Sequence, residues 1–130
     1  MLSVAELIRA GRFEEVDREN AAEEIEGLAR RDFAEIKNRT TTLMTHLLKR
    51  DFQPERHARS WDATIIEQSR RIRINIEDIP SLSQRMPDLI RDYYELAVAE
   101  ALGETGLDRK AFPQLCPHSI TEVYGDWVRK

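Results

Sequence analysis

The run from Ala22 to Leu48 constrains the fold of this chain most strongly, because it keeps one helical periodicity and contains no proline. Apolar and small residues recur along it at steps of three or four, which places them on one face of an α-helix. The members of this stripe are Ala22, Ile25, Ala29, Phe33, Ile36, Thr40, Leu43 and Leu47. A helix of this length spans roughly 40 Å, at about 1.5 Å per residue. It therefore needs long helical partners to cover its apolar stripe.

Two later segments show the same periodicity, so the sequence predicts three long helices, at about residues 18–48, 55–79 and 86–105. Pro54 follows the first helix directly, and the short connection favours an antiparallel second helix. Ser3, and the capping box that Ser119 opens, predict short helices near the amino and carboxyl ends. Because no segment alternates as a strand does, we expect an all-α helical bundle in a single domain over residues 1–130.

Composition excludes several classes of protein. With 130 residues, the chain can bury a core without disulfides or a structural metal. Its net charge of −4 does not favour general attraction to nucleic acids or anionic membranes. Cys116 is the only cysteine and cannot form an intramolecular disulfide, and the sequence contains neither a signal-peptide core nor an apolar run long enough to span a bilayer. These features predict a cytoplasmic protein without a membrane partner.

Charge is unevenly distributed along the chain. Between Glu14 and Glu35 there are nine acidic residues and three basic ones, whereas between Lys49 and Arg73 there are seven basic residues and four acidic ones. An antiparallel hairpin that turns near Phe52 sets the basic cluster Arg70–Arg73 opposite residues 31–35. We therefore interpret this cluster as paired within the chain. Weak nucleic-acid binding through the cluster Arg70–Arg73 is a third and less favoured hypothesis for the function.

The acidic pair Glu23 and Glu24 suggests a second reading, a metal-dependent hydrolase of a small phosphorylated substrate. The pair resembles the start of the all-helical nucleotide pyrophosphohydrolases, in which paired glutamates hold Mg²⁺ against a diphosphate. That pattern has a further glutamate three residues later, where this chain has Gly27. No second acidic motif follows on a later helix, so the hydrolase remains the alternative reading.

Histidine and cysteine spacing does not predict a metal centre. Cys116 and His118 offer two zinc ligands, but a closed zinc site takes four. A di-iron carboxylate bundle needs a glutamate three residues before a histidine, and His46, His57 and His118 all lack one. Neither a cofactor nor a catalytic nucleophile is therefore predicted.

Polar side chains recur at helical steps near the predicted hairpin turn, beside a tryptophan. They predict a binding groove formed by His46, Lys49, Gln53, His57, Trp61, Thr64, Gln68 and Arg71. A purely structural alternative also fits these residues. In that alternative His46 forms a hydrogen bond at the edge of the core, Gln53 fixes the turn and the others face water.

Five segments carry a resemblance to a known family: AEEIEGL (22–28), HLLKRDFQPE (46–55), SWDATIIEQSRRI (60–72), IPSL (79–82) and FPQLCP (112–117). In this order they resemble the bacterial family called "domain of unknown function twenty-nine". The resemblance implies an all-helical fold and a bacterial cytosolic protein, and it implies no activity.

From these observations we predict a protein-interaction module without catalytic activity. Its partner is expected to bind through the groove near the hairpin turn or through an exposed apolar strip, and a homodimer is one form that such an interaction takes. Uncovered apolar surface of more than a few hundred Å² usually marks an interface.

Overall fold

The computed structural model describes residues 2–56 and 58–128, and these residues form α-helices, short 3₁₀ helices and loops, without a β-strand. The α-helices are α1 (Val4–Arg9), α2 (Arg18–Phe52), α3 (Arg59–Asp78), α4 (Met86–Thr105) and α5 (Ile120–Tyr124). The 3₁₀ helices are Phe13–Glu15, Pro54–Arg56, Pro80–Arg85 and Arg109–Ala111. The predicted all-α class, with three long helices and short helices near the ends, is confirmed.

The chain forms two compact units, residues 1–33 and residues 34–130. Helix α2 contributes its first part to the first unit and its remainder to the second. The single domain expected over residues 1–130 stays a prediction. None of the helices in the described parts of the chain combines the length and the apolar character that crossing a bilayer requires.

Local side-chain signals start the helices of the first unit. The Ser3 hydroxyl accepts a hydrogen bond from the Glu6 backbone N–H at 3.1 Å and caps α1. Gly11 follows α1 with a φ of +75°, a conformation that glycine adopts at little cost. The Asp17 carboxylate accepts from the Asn20 backbone N–H at 3.2 Å, so it caps the start of α2.

Helix α3 runs antiparallel to the part of α2 that lies in the second unit. The Arg39 guanidinium of α2 donates to the Gln68 side chain of α3 at 2.9 Å. Ten residues further along α2, the Lys49 ammonium lies over the ring of Trp61, which comes earlier in α3. Because residue numbers rise on α2 as they fall on α3, these contacts establish the antiparallel hairpin.

Helix α4 runs parallel to the same part of α2. The Thr45 hydroxyl lies 3.3 Å from the carbonyl oxygen of Ala97, and the Lys49 ammonium lies 2.9 Å from the Glu104 carboxylate. The 3₁₀ helix Pro80–Arg85 makes the connection from α3 to α4. At its carboxyl end α4 stops at Gly106, which has a φ of +71° and donates its N–H to the carbonyl oxygen of Leu102.

The core of the second unit is formed by apolar side chains of α2, α3, α4 and α5, together with Phe112 from the loop before α5. They are Ile36, Leu43, Met44, Leu47, Leu48, Ile72, Met86, Leu89, Ile90, Tyr94, Ala97, Val98, Ala101, Phe112, Val123 and Tyr124. The later half of the predicted α2 stripe, from Ile36 to Leu47, is therefore buried as expected. Helix α5 begins with the predicted capping box, in which Ser119 and Glu122 each bond the backbone N–H of the other.

The predicted register of the hairpin is wrong. Helix α3 begins at Arg59 instead of about residue 55, because Pro54–Arg56 forms a 3₁₀ helix and Ala58 is extended. The longer connection brings higher-numbered residues of α3 beside each position of α2. Glu35 accordingly accepts a hydrogen bond from the Asn75 side chain at 3.2 Å and is not paired with the cluster Arg70–Arg73.

Candidate functional site

Lys49 is the central residue of the predicted groove in the structure. Its side chain is only 8% exposed, and its ammonium lies 2.9 Å from the Glu104 carboxylate. The same ammonium lies 5.0 Å from the centroid of the Trp61 ring, a distance at which a cation is attracted to the face of an indole. Sequence reasoning placed Lys49 and Trp61 together, and it missed Glu104 because that residue comes from α4.

A second polar group lies further along the same two helices. Arg39 forms an ion pair with Glu35 one turn away and donates to Gln68, while the Asn75 amide donates to the other Glu35 oxygen. The hydrogen bond from Arg39 is the main reason that the pKa of Glu35 is lowered. The side-chain oxygen Oδ1 of Asn75 is buried and has no hydrogen-bond partner among the described residues. Gln68 thus belongs to a network separate from Lys49, with contacts that fix α3 against α2.

Three further groove residues that the structure describes are His46, Gln53 and Thr64. His46 donates from Nδ1 to the Thr42 carbonyl oxygen at 2.8 Å. This contact fits the alternative in which His46 has a structural hydrogen bond at the edge of the core. Gln53 is buried, Thr64 is partly exposed, and His57 lies outside the described residues. The structure therefore brings Lys49 and Trp61 together, and it places His46 and Gln68 in separate surroundings.

The basic cluster is paired within its own helix. Arg70 and Arg71 both bond to Glu67, and Arg73 bonds to Glu77. The two hydrogen bonds, led by that of Arg70, lower the pKa of Glu67 to about 2. These pairs take the place of the ion pairs with α2 that the predicted register implied, although the charge of Arg71 also helps to lower the pKa of Glu35.

His118 anchors the segment before α5 to the end of α2. Its side chain is 6% exposed, and Nε2 donates to the Asp51 carboxylate at 2.7 Å. Burial favours the neutral form of Asp51, but hydrogen bonds from Arg50 and His118 outweigh it and hold the pKa below its ordinary value. Nearby, the Phe112 ring packs edge-on against Phe52 with centroids 5.7 Å apart. These contacts give His118, Asp51 and the two phenylalanines structural roles, because they hold the segment before α5 against the end of α2.

Cys116 donates to the His118 carbonyl oxygen at 3.6 Å, and burial raises the pKa of its thiol. Both residues line a shallow, mostly apolar groove of about 390 Å³ against the start of α4. Within the part of the chain that the structure describes, no three histidine, cysteine, aspartate or glutamate side chains are grouped so that they could hold a metal ion.

The acidic pair that suggested a metal-dependent hydrolase lies on the exposed surface of α2. Glu23 and Glu24 are both exposed. The structure thus gives this pair the solvated position that is usual near the start of a helix, where acidic groups are favoured by the helix dipole.

The first part of α2 carries an exposed apolar face. Ile25 is 62% exposed and Leu28 is 54% exposed, and they lie one turn apart on the same side of the helix. We call these two residues the α2 apolar face. The prediction that Ile25 is buried is wrong, because helical periodicity identifies an apolar stripe without identifying what covers it.

Exposed apolar side chains are concentrated in the first unit. Of the ten large hydrophobic residues that are exposed in the described chain, five come from its first 28 residues. They are Leu2, Ile8, Phe13, Ile25 and Leu28. An interaction surface needs exposed apolar side chains that lie side by side, and among these five Ile25 and Leu28 do so, one turn apart on α2.

Comparison with known proteins bears on the family resemblance that the sequence segments 22–28, 46–55, 60–72, 79–82 and 112–117 carry. No curated protein matches this chain, and no solved structure matches it. A family described as "Domain of unknown function DUF29" matches residues 1–128, which is nearly the whole sequence. The chain therefore belongs to the DUF29 family.

Proposed function

We propose that this protein is a self-associating interaction module, and that the α2 apolar face is its docking surface. The observation that carries the proposal is the exposure of Ile25 and Leu28 on one side of a helix. Full burial of a side chain of this size contributes about 1.5–3 kcal/mol, so covering the exposed parts of both side chains contributes a favourable fraction of this free energy. A helix from another protein molecule provides the long, narrow apolar surface that fits such a face.

Charge beside this face favours a second copy of the chain as the occupant. Glu24 and Arg31 flank it, both are exposed, and neither forms an ion pair with another described residue. A partner that carries charge of one sign would satisfy only one of these two groups. A second copy carries both, so two-fold symmetry supplies a base for each acid.

The test is the mass of the full chain in solution as a function of concentration, by analytical ultracentrifugation. A helix-sized interface lies at the low end for specific complexes, so we expect a reversible dimer that dissociates on dilution. Ile25→Asp places a charge in the contact and is expected to give a monomer up to about 1 mM.

Ile66→Asp is the matched control, because Ile66 is an isoleucine of α3 that is 69% exposed and lies outside the α2 apolar face. This variant is expected to dimerise like the wild type, with circular dichroism confirming that both variants keep their helix content. A wild-type chain that stays monomeric at about 1 mM overturns the proposal. Equal dissociation of the two variants also overturns it.

A further inference from the structure

We infer that the two copies pair through antiparallel α2 helices, with Ile25 of one copy level with Leu28 of the other. This inference rests on the proposed self-association and adds the orientation and register of the partner. It follows from how residues are distributed on the two edges of the α2 apolar face.

The centre of the face follows a seven-residue repeat. Ala21, Ile25, Leu28 and Asp32 succeed one another at steps of four, three and four, as in the seam of a coiled coil. Ala21 is already buried, and Asp32 ends the apolar part of the seam. The contact therefore centres on Ile25 and Leu28.

The two edges of the seam differ in chemistry. One edge carries Glu24 and Arg31, seven residues apart, and we call it the charged edge. The other carries Ala22 and Ala29, also seven residues apart, and we call it the alanine edge. Ala22 is exposed and Ala29 is partly exposed, so both edges are accessible on the described chain.

Orientation decides which edges meet. In a parallel pair of helices the charged edge of one copy lies beside the alanine edge of the other, and the charges stay unpaired. In an antiparallel pair like edges meet, so Glu24 of each copy faces Arg31 of the other. The alanine edges then also meet, and their small side chains allow close approach of the helices.

The register brings the charges within reach of each other. When Ile25 is level with the second copy's Leu28, Glu24 and the second copy's Arg31 are offset by two residues, or about 3 Å along the axis. Long side chains cover this offset easily. The two-fold axis repeats the pair, so each dimer contains two such contacts.

Charge reversal tests this arrangement. Glu24→Arg and Arg31→Glu are each expected to raise the dimer Kd about tenfold, since each replaces two attractive pairs with two repulsive ones. The double variant that carries both changes is expected to restore the wild-type Kd. Glu23→Arg is the matched control, because it changes the net charge equally on the opposite side of α2 and is expected to leave the Kd unchanged.

The outcomes separate this inference from the proposed function. If the wild type dimerises and Ile25→Asp dissociates it, but the double charge variant is no tighter than the single ones, the antiparallel register is wrong and self-association stands. If the wild type does not dimerise, both fail. A second measurement uses Ile25→Cys and Leu28→Cys chains in a Cys116→Ser background, mixed under a thiol redox buffer. Antiparallel pairing is expected to enrich the mixed disulfide, and enrichment of either homodimer would contradict it.

Discussion

The hydroxyl of Thr40 lies 3.0 Å from the hydroxyl of Tyr124, inside the core of residues 34–130. Tyr124 also donates to the carbonyl oxygen of Met86 at 3.1 Å, so Thr40 is the donor in the first of these bonds. This chain of hydrogen bonds connects α2 to α5 and to the start of α4. It explains why a threonine occupies the apolar stripe of α2, since its hydroxyl is fully buried and satisfied.

Removing the Tyr124 hydroxyl is expected to destabilise the second unit. In Tyr124→Phe the Thr40 donor and the Met86 carbonyl lose their common partner, and the free energy of unfolding is expected to fall by about 1–3 kcal/mol. Urea denaturation followed by circular dichroism measures this change. Tyr93→Phe, at a half-buried position, is the control and is expected to stay within about 0.5 kcal/mol of the wild type. Equal losses in the two variants would show that the buried bonds contribute nothing specific.

Gly125 is expected to tolerate no side chain. Its φ is +117°, and a Cβ there would lie 2.8 Å from the Ser69 hydroxyl and 3.0 Å from the Trp127 ring. Gly125→Ala is therefore expected to lower the free energy of unfolding by more than about 1 kcal/mol. Gly103→Ala in α4 meets nothing within 4 Å and is expected to stabilise by up to about 1 kcal/mol. Thermal unfolding of both variants checks the expected opposite signs.

Stability is expected to fall in alkaline solution. Burial raises the pKa of Tyr94 to about 12, and its hydroxyl donates to the Pro113 carbonyl oxygen at 2.7 Å. Because the unfolded pKa is about 10, the folded state holds this proton more tightly. The resulting stability is complete below pH 10 and is lost as the pH rises toward 12.

Burial also raises the pKa of Tyr124, so two of the three tyrosines act in the same direction. Tyr94→Phe is expected to show a weaker loss of stability across this pH range. Spectrophotometric titration of the folded protein supplies the second measurement. Ionisation of Tyr94 and Tyr124 near pH 10, before unfolding, would contradict their raised pKa values.

The contribution of Lys49 is expected to come mainly from its buried stem. Lys49→Ala removes the packing of four methylenes and is expected to cost about 2 kcal/mol. Lys49→Met keeps most of that packing and loses the ion pair with Glu104, which is 55% exposed, so its cost is expected to stay below about 1 kcal/mol. Denaturant unfolding compares the two variants. A Lys49→Met variant as unstable as Lys49→Ala would indicate that the charge itself is essential.

Local signals in the sequence predicted much of the fold. Ser3 and Ser119 cap their helices as expected, because a capping bond depends only on residues within one turn. Periodicity likewise located the three long helices, since it repeats every turn of a helix.

Contacts between distant residues were predicted less well. The register of α2 against α3 depends on the connection after Pro54, and a 3₁₀ helix there moved Asn75 beside Glu35. Of the predicted groove, Lys49 and Trp61 do meet, because both lie near the hairpin turn. The α2 apolar face could not be located from sequence, since its exposure depends on which other elements reach α2.

The bond between Thr40 and Tyr124 joins residues 84 positions apart. During synthesis, the threonine is made early and finds its acceptor only after the chain through Tyr124 has left the ribosome. Until then the carboxyl-terminal half of α2 lacks a partner that its burial requires. Completion of the second unit is consequently a late event in biosynthesis, and a nascent chain halted before α5 would offer its unfinished core to chaperones.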